Sequence, residues 1–257
     1  QALKYWGFSE TYTYPMVSEA LYEGDTTASV KLKNPLGEDF VYMRKSLIPS
    51  LLQVVEQNKK TKYMRLFEIG NVYARNGMKL PLQTQHLALV LKEKGASFFE
   101  LKGILEQLAE DSGITHLAFR ALDKSGLEAE ITIGKEVLGT IEILDEDLVN
   151  LEIDFEIFMK HATIHKTFTP LQKYPPIRED LSLTIDEEIP TGAIVETIKK
   201  VSPLITEVSL FDKYQDSRSF HLIYQSTKKN LTMKDIEEIR GKMLASLLKE
   251  YKARPKS

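Results

Sequence analysis

The chain has 257 residues, of which 42% are apolar and 28% charged, a globular composition with room for two domains. It has no cysteine, which excludes a disulfide framework, a thiol nucleophile and a thiolate metal site; with no run of about 18 apolar residues and no basic-then-apolar leader, a soluble cytoplasmic protein without a membrane partner is expected. The net charge of −3 argues against a polymer-coating nucleic-acid binder, yet from Thr167 onward 15 basic residues stand against 13 acidic ones, and before it 19 against 24, so an RNA partner is expected at the C-terminal part if anywhere.

Ala2-Leu-Lys-Tyr-Trp6 reads as a helix with no cap before it, stopped at Gly7, as in a chain cut from a longer parent. Glu10 to Tyr14 alternate Thr and Tyr and predict a strand, Ser18 to Tyr22 a short helix, and Asn34-Pro-Leu-Gly37 a turn. Ser46 is placed to cap the next helix, with Pro49 in its first turn, where a missing amide hydrogen costs little. Leu47, Ile48, Leu51, Leu52, Val54 and Val55 make that helix apolar on more than one face, so it needs cover on two sides, from its own sheet or from another subunit. Met64 to Tyr73 and Leu87 to Leu91 predict strands. Glu100 to Gly113 predicts a helix with Leu101, Ile104, Leu105 and Leu108 on one face, and Ile131 to Ile133 pairs with Val137 to Leu144 across Gly134-Lys-Glu as a hairpin. Strands and helices mix without the steady alternation of a parallel sheet, which predicts α+β with a largely antiparallel sheet. The polar, Pro-ended stretch from 161 to 170 marks a join between domains 1–166 and 167–257.

The segment from Phe168 to Leu231 is the most informative. After Asp180, Leu181, Leu183 and Ile185 point one way and Ser182, Thr184 and Asp186 the other, the period of a half-buried strand. Thr191 opens a short helix whose Ile194, Val195, Ile198 and Val201 share a face, ended at Ser202-Pro203. Val208 to Tyr214 and Phe220 to Tyr224 read as strands, and Thr232-Met-Lys-Asp235 as the capping box of a long helix with Ile236, Ile239, Met243, Leu244, Leu247 and Leu248 on its buried stripe. With a stub of a last strand, this is a ferredoxin-like βαββαβ domain.

Tyr174-Pro-Pro-Ile-Arg-Glu-Asp-Leu-Ser-Leu183, Leu210-Phe-Asp-Lys-Tyr214 and Asn230-Leu-Thr232 resemble the ferredoxin-fold anticodon-binding domain of the phenylalanine–tRNA ligase β-subunit family, bacterial type. Upstream, Gly7-Phe-Ser-Glu10, Asn34-Pro-Leu-Gly-Glu-Asp-Phe40, Arg44-Lys-Ser-Leu-Ile-Pro49, Leu66-Phe-Glu-Ile-Gly70 and Phe98-Phe-Glu-Leu-Lys-Gly103 are similar, in order, to that family's class II synthetase-like but non-catalytic module. The resemblance implies a parent ligase that charges tRNA-Phe with phenylalanine using ATP and Mg2+. It also implies an α subunit that holds the catalysis, an (αβ)2 assembly, and no cofactor or activity in this fragment itself. It places the tyrosine that stacks on an anticodon base at Tyr214 and a serine beside the same base at Ser217, with Lys213, Arg218 and Arg178 as candidate phosphate contacts and no DNA partner. Three connections, near Lys94, Asn150 and between Tyr214 and Ser217, are short for the family.

The remaining residues carry little chemistry. A class II active site needs an arginine that clamps the ATP α-phosphate in a Phe-Arg-x-Glu run, whereas Arg65 and Glu68 in Arg65-Leu-Phe-Glu68 are spaced to fall on opposite faces of a strand. No Gly-rich phosphate loop is present. His161 and His165 have metal-ligand spacing without a third ligand, His86, His116 and His221 are scattered, and Asp145, Glu146 and Asp147 read as a solvated loop rather than a cation site.

Overall fold

The computed structural model describes residues 1–22, 26, 29–77, 79–114, 117–122, 126–164 and 172–256, and the chain forms two compact units, Gln1–Thr167 and Phe168–Ser257.

The first unit runs α1 (Ala2–Tyr5), β1 (Ser9–Glu10), β2 (Met16–Val17), β3 (Val30–Lys31), β4 (Tyr42–Met43), α2 (Ile48–Gln57), β5 (Met64–Ala74), β6 (Leu82–Lys92), α3 (Phe98–Asp111), β7 (Leu117–Ala121), β8 (Glu128–Ile133), β9 (Glu136–Asp145), β10 (Leu148–Asp154) and α4 (Phe155–His161). Its main sheet has the order β1-β5-β6-β10-β9-β8-β7, with β1 parallel to β5 and the other neighbours antiparallel, and β2-β4-β3 form a small second sheet. Leu87-Ala-Leu-Val-Leu91 of β6 is apolar without alternation because both faces of the sheet are covered there. Leu87, Leu89 and Leu91 pack with Leu101 and Leu105 of α3 and Phe158 of α4. Ala88 and Val90, on the opposite face, pack with Leu47, Leu51 and Val55 of α2. The sheet thus covers one side of α2, and Leu52 and Val54 stay half-buried.

Local expectations near the start of the chain are met only in part. Of the predicted strand at Glu10 to Tyr14 only Glu10 pairs, with Ser9 before it, as β1; beyond it, Thr11 bonds the Phe67 carbonyl through both N and Oγ1, and Thr13 donates to Glu68. Residues 18–22 close as a turn on the Ser18 carbonyl rather than a helix. Ser46 lies one residue before the N-cap position, Leu47, and its Oγ accepts from the Ile48 amide at 3.1 Å, as expected of a serine at this helix start. The N-terminus of α2 is held as well by Glu152 of β10, which accepts from the Leu47 amide at 3.0 Å and from Ser46 Oγ at 2.5 Å. A carboxylate there suits the free amides and the positive end of the helix dipole.

The second unit runs β11 (Ile177–Thr184), α5 (Thr191–Val201), β12 (Ile205–Tyr214), β13 (Ser217–Tyr224), α6 (Met233–Tyr251) and β14 (Arg254–Pro255). This is the βαββαβ order, and the antiparallel sheet β12-β13-β11-β14 has the ferredoxin-like arrangement. Leu181, Leu183, Phe220, Leu222 and Tyr224 pack against Ile194 and Ile198 of α5 and Ile236, Ile239, Met243 and Leu247 of α6. One face of the sheet therefore carries both helices. The Thr232–Asp235 capping box starts α6, and bonds from Lys229 and Thr232 hold the Asp235 carboxyl well below the usual carboxylate range.

Tyr224 is fully buried on the helix face, where its hydroxyl donates to Glu179 Oε2 at 3.0 Å, and burial pushes the phenol up to about 12. The unfolded phenol titrates near 10. Below that pH the contribution is fully present; between about pH 10 and 12 the unfolded state loses its proton while the folded state keeps it. Stability of this unit should then fall by about 2–3 kcal/mol more in the parent than in Tyr224→Phe, a difference that urea melts of both at pH 9 and pH 12 would measure.

Candidate nucleic-acid interface

The hairpin of β12 and β13 turns at Gln215-Asp216, with Gln215 in the left-handed region at φ 51°, and sets Tyr214 opposite Ser217 and Lys213 opposite Arg218. Strand alternation then sorts β13. Phe220, Leu222 and Tyr224 point into the core, so Arg218 goes inward with them, while Ser217, Ser219, His221 and Ile223 belong to the face without helices. On β11 that open face carries Arg178, Asp180, Ser182 and Thr184.

Tyr214 is 67% exposed at the hairpin end of this face, and Lys213 beside it is exposed on the same strand end. Ser217 is buried, because the Lys256 ammonium donates to its Oγ at 3.3 Å, and the Lys256 amide bonds the Ser182 carbonyl. Lys256 thus joins this end of the face as an exposed cation. Nothing local in the sequence marks it, since its place depends on β14 pairing with β11. Arg178 is exposed on the open face but pairs with Ile223 at the far end of β11, about 20 Å from Thr184 at strand rise. Among the described residues neither Arg178 nor Lys213 has an ion pair.

Arg218, expected as a candidate phosphate contact, lies inside the second unit rather than on the open face. It is 1% exposed and donates to the carbonyls of Ile189 at 2.5 Å, Asp186 at 3.1 Å and Glu187 at 3.0 Å, in the loop between β11 and α5. Burial lowers its pKa, and Asp186 and Glu187 counter that; a guanidinium stays charged in either case.

In the first unit, Arg65 and Glu68 do part to opposite faces of β5. Arg65 pairs with Glu93 at 2.9 Å and with Glu100; burial works against its charge, and Glu100 and Glu93 beside it raise its pKa overall. Glu68 is bound by Arg44 at 2.8 Å and Thr13 at 2.7 Å. The cavity beside Arg44, lined by Val17, Leu21, Tyr22, Lys45, Ser46 and Pro49 as well, holds about 10 Å³, room for one water at most. Arg44 and Arg65 do not fit a clamp for ATP with Mg2+, because both are already paired with carboxylates and the cavity beside Arg44 has no space for a triphosphate. His161 pairs with Glu136, Asp147 accepts the Gly95 amide, and no group of three His, Asp or Glu is arranged for a metal among the described residues; His116 and His165 lie outside those residues.

Residues 1–159 match the family model described as the phenylalanyl tRNA synthetase beta chain CLM domain, and residues 172–256 match the ferredoxin-fold anticodon binding domain. The chain belongs to the phenylalanyl-tRNA synthetase β-chain family. It is 28% identical to a phenylalanine–tRNA ligase beta subunit of Clostridium acetobutylicum over 94% of this chain and 35% of that one, and 30% identical to the corresponding subunit of Onion yellows phytoplasma over 95% of this chain and 34% of that one. The chain therefore spans about a third of the length of these β-chain relatives. A solved pyrrolysyl tRNA synthetase of Desulfitobacterium hafniense is similar over 62% of each chain at 19% identity, with a TM-score of 0.49. No helix among the described residues is long and apolar enough to cross a membrane.

Proposed function

We propose that this chain is a non-catalytic β-subunit part of a phenylalanine–tRNA ligase, working in the cytoplasm within an (αβ)2 assembly that charges tRNA-Phe at the expense of ATP with Mg2+. In this reading the first unit is a scaffold that packs on the α subunit, and the second binds the anticodon stem-loop. The observation that carries it is the open face of the β12-β13-β11-β14 sheet, with Tyr214 standing 67% exposed at the hairpin end near Lys256, and Lys213 exposed at the rim of the same strand end. A ferredoxin-like sheet left open on one side presents aromatic side chains on which unpaired bases stack, with cations at its rim for phosphates. The ferredoxin-fold anticodon binding description of residues 172–256 supports the same assignment, as do the paired, cavity-poor arginines of the first unit.

The test is titration of the full chain with a tRNA-Phe anticodon stem-loop at two salt concentrations. Tyr214→Ala is expected to weaken binding by roughly 1–3 kcal/mol without changing the salt dependence. Lys213→Ala is expected to weaken it less and to reduce the salt slope by about one. A folded chain that binds no stem-loop at either salt concentration would instead assign the second unit to packing within the parent.

A further inference from the structure

The aromatic surface of the open face does not end at Tyr214. β12 has a bulge at Phe211: Leu210 pairs with Phe220 and Asp212 with Ser219, so Phe211 is the extra residue and its side chain leaves the ordinary alternation. Its ring stacks on His221 of β13, with centroids 3.9 Å apart and planes 11° from parallel. On the other side of His221, Asp180 of β11 bonds Nδ1 at 2.6 Å. Two neighbouring strands thus fix one imidazole. The pair remains open to solvent, with Phe211 49% exposed and the His221 side chain 51% exposed. A cavity of about 340 Å³ beside it is bordered by Arg178, Asp180, Glu207, Ser209 and Ile223 among others.

These rings do little for the core, where Phe220 and Tyr224 are fully buried. Rings already aligned and held from two sides lose little freedom when a third ring stacks on them. The surroundings favour a nucleobase over a protein side chain. Between Tyr214 and the pair the face carries the Asp212 carboxylate, opposite Ser219, and the hydroxyls of Ser182 and Ser219, bonded to each other at 2.8 Å, whereas the centre of a protein interface is apolar and depleted of charge. Asp180 can accept from a base amino group and Arg178 can meet a phosphate.

We propose that Phe211 and His221 form a second base-stacking platform, about 10 Å along β12 from Tyr214, so that the face takes two unpaired bases of an RNA loop. This rests on the reading of the open face as the RNA-binding face. Stem-loop RNAs, each with one abasic loop position, are titrated against the full chain and against Tyr214→Ala, Phe211→Leu and His221→Gln, with thermal melts confirming that each variant is folded. The intact RNA should bind Phe211→Leu and His221→Gln at least about fivefold more weakly, with an unchanged salt slope. One abasic position should cost affinity in the parent and nothing further in these two variants, and it should differ from the position silenced by Tyr214→Ala. If only the Tyr214 coupling appears and both platform variants bind intact RNA as the parent does, the platform is wrong and the anticodon reading stands. If the parent binds no stem-loop, both fall, and the exposed rings belong to a protein contact. Should one platform variant fail to fold, the other decides alone.

Discussion

Glu68→Ala should destabilise the first unit by about 3–5 kcal/mol, because it strands a buried guanidinium without its counter-charge. The Arg44 and Glu68 side chains are 5% and 1% exposed. Arg44 also donates to Thr13 Oγ1 at 2.7 Å and to the Asn71 carbonyl at 3.0 Å, while Thr13 donates to the second Glu68 oxygen. Gly70, two residues beyond Glu68 and on the same face of β5, makes room for this network, since a Cβ there would collide with Arg44 Nη2. The Phe67-Glu-Ile-Gly70 sequence thus has a structural cause in this chain: the carboxylate binds the arginine and the glycine admits it. The effect is measurable by urea unfolding followed through Trp6, the single tryptophan, which packs against the core of this unit. Replacing both partners, Arg44→Met with Glu68→Leu, should cost less than Glu68→Ala alone, because no charge is left unpaired. A loss below about 1 kcal/mol in Glu68→Ala would show that water reaches the pair and that the network does not depend on the carboxylate.

The order of the second unit was legible in the sequence because β11 alternates, β12 and β13 are rich in aromatic and β-branched residues and each helix carries its own apolar stripe, so no long-range fact was needed. The divergence of Arg65 and Glu68 followed from strand period in the same way. What escaped depends on contacts distant in sequence. Glu152 caps α2 from 105 residues away, and Lys256 meets Ser217 only through the pairing of β14 with β11. Thr11 and Thr13 spend their hydroxyls on Phe67 and Glu68, which a Thr/Tyr alternation cannot distinguish from a ladder. Phe211 and His221 were hidden by a bulge, which shifts one residue out of period without a glycine to announce it. Arg218 is different, since it lies in phase with Phe220, Leu222 and Tyr224. Alternation alone places it inside; a basic residue beside a candidate RNA-binding tyrosine invites the opposite assignment.

The inward position of Arg218 has a measurable consequence. Arg218→Ala should destabilise the second unit by roughly 3 kcal/mol, the sum of lost charge-assisted bonds and of carbonyls left without donors inside the fold. Its guanidinium reaches the carbonyls of Asp186, Glu187 and Ile189 at once, so it fixes the loop that leads from β11 into α5. Arg218→Lys keeps the charge, but one compact ammonium on a flexible stem cannot match a planar fork aimed at three carbonyls, so it should recover only part of the loss. Hydrogen exchange of the β11 and β13 amides reads this directly, since protection should fall in the second unit while the Trp6 transition of the first is unchanged. Binding to the anticodon stem-loop separates the structural role from the phosphate role. At a temperature where Arg218→Gln is folded, its salt slope should equal the parent's, whereas removing the charge of an arginine that sits on a phosphate would lower the slope by about one. Unchanged exchange protection in Arg218→Ala, together with a reduced salt slope, would return Arg218 to the RNA face and overturn the inward assignment.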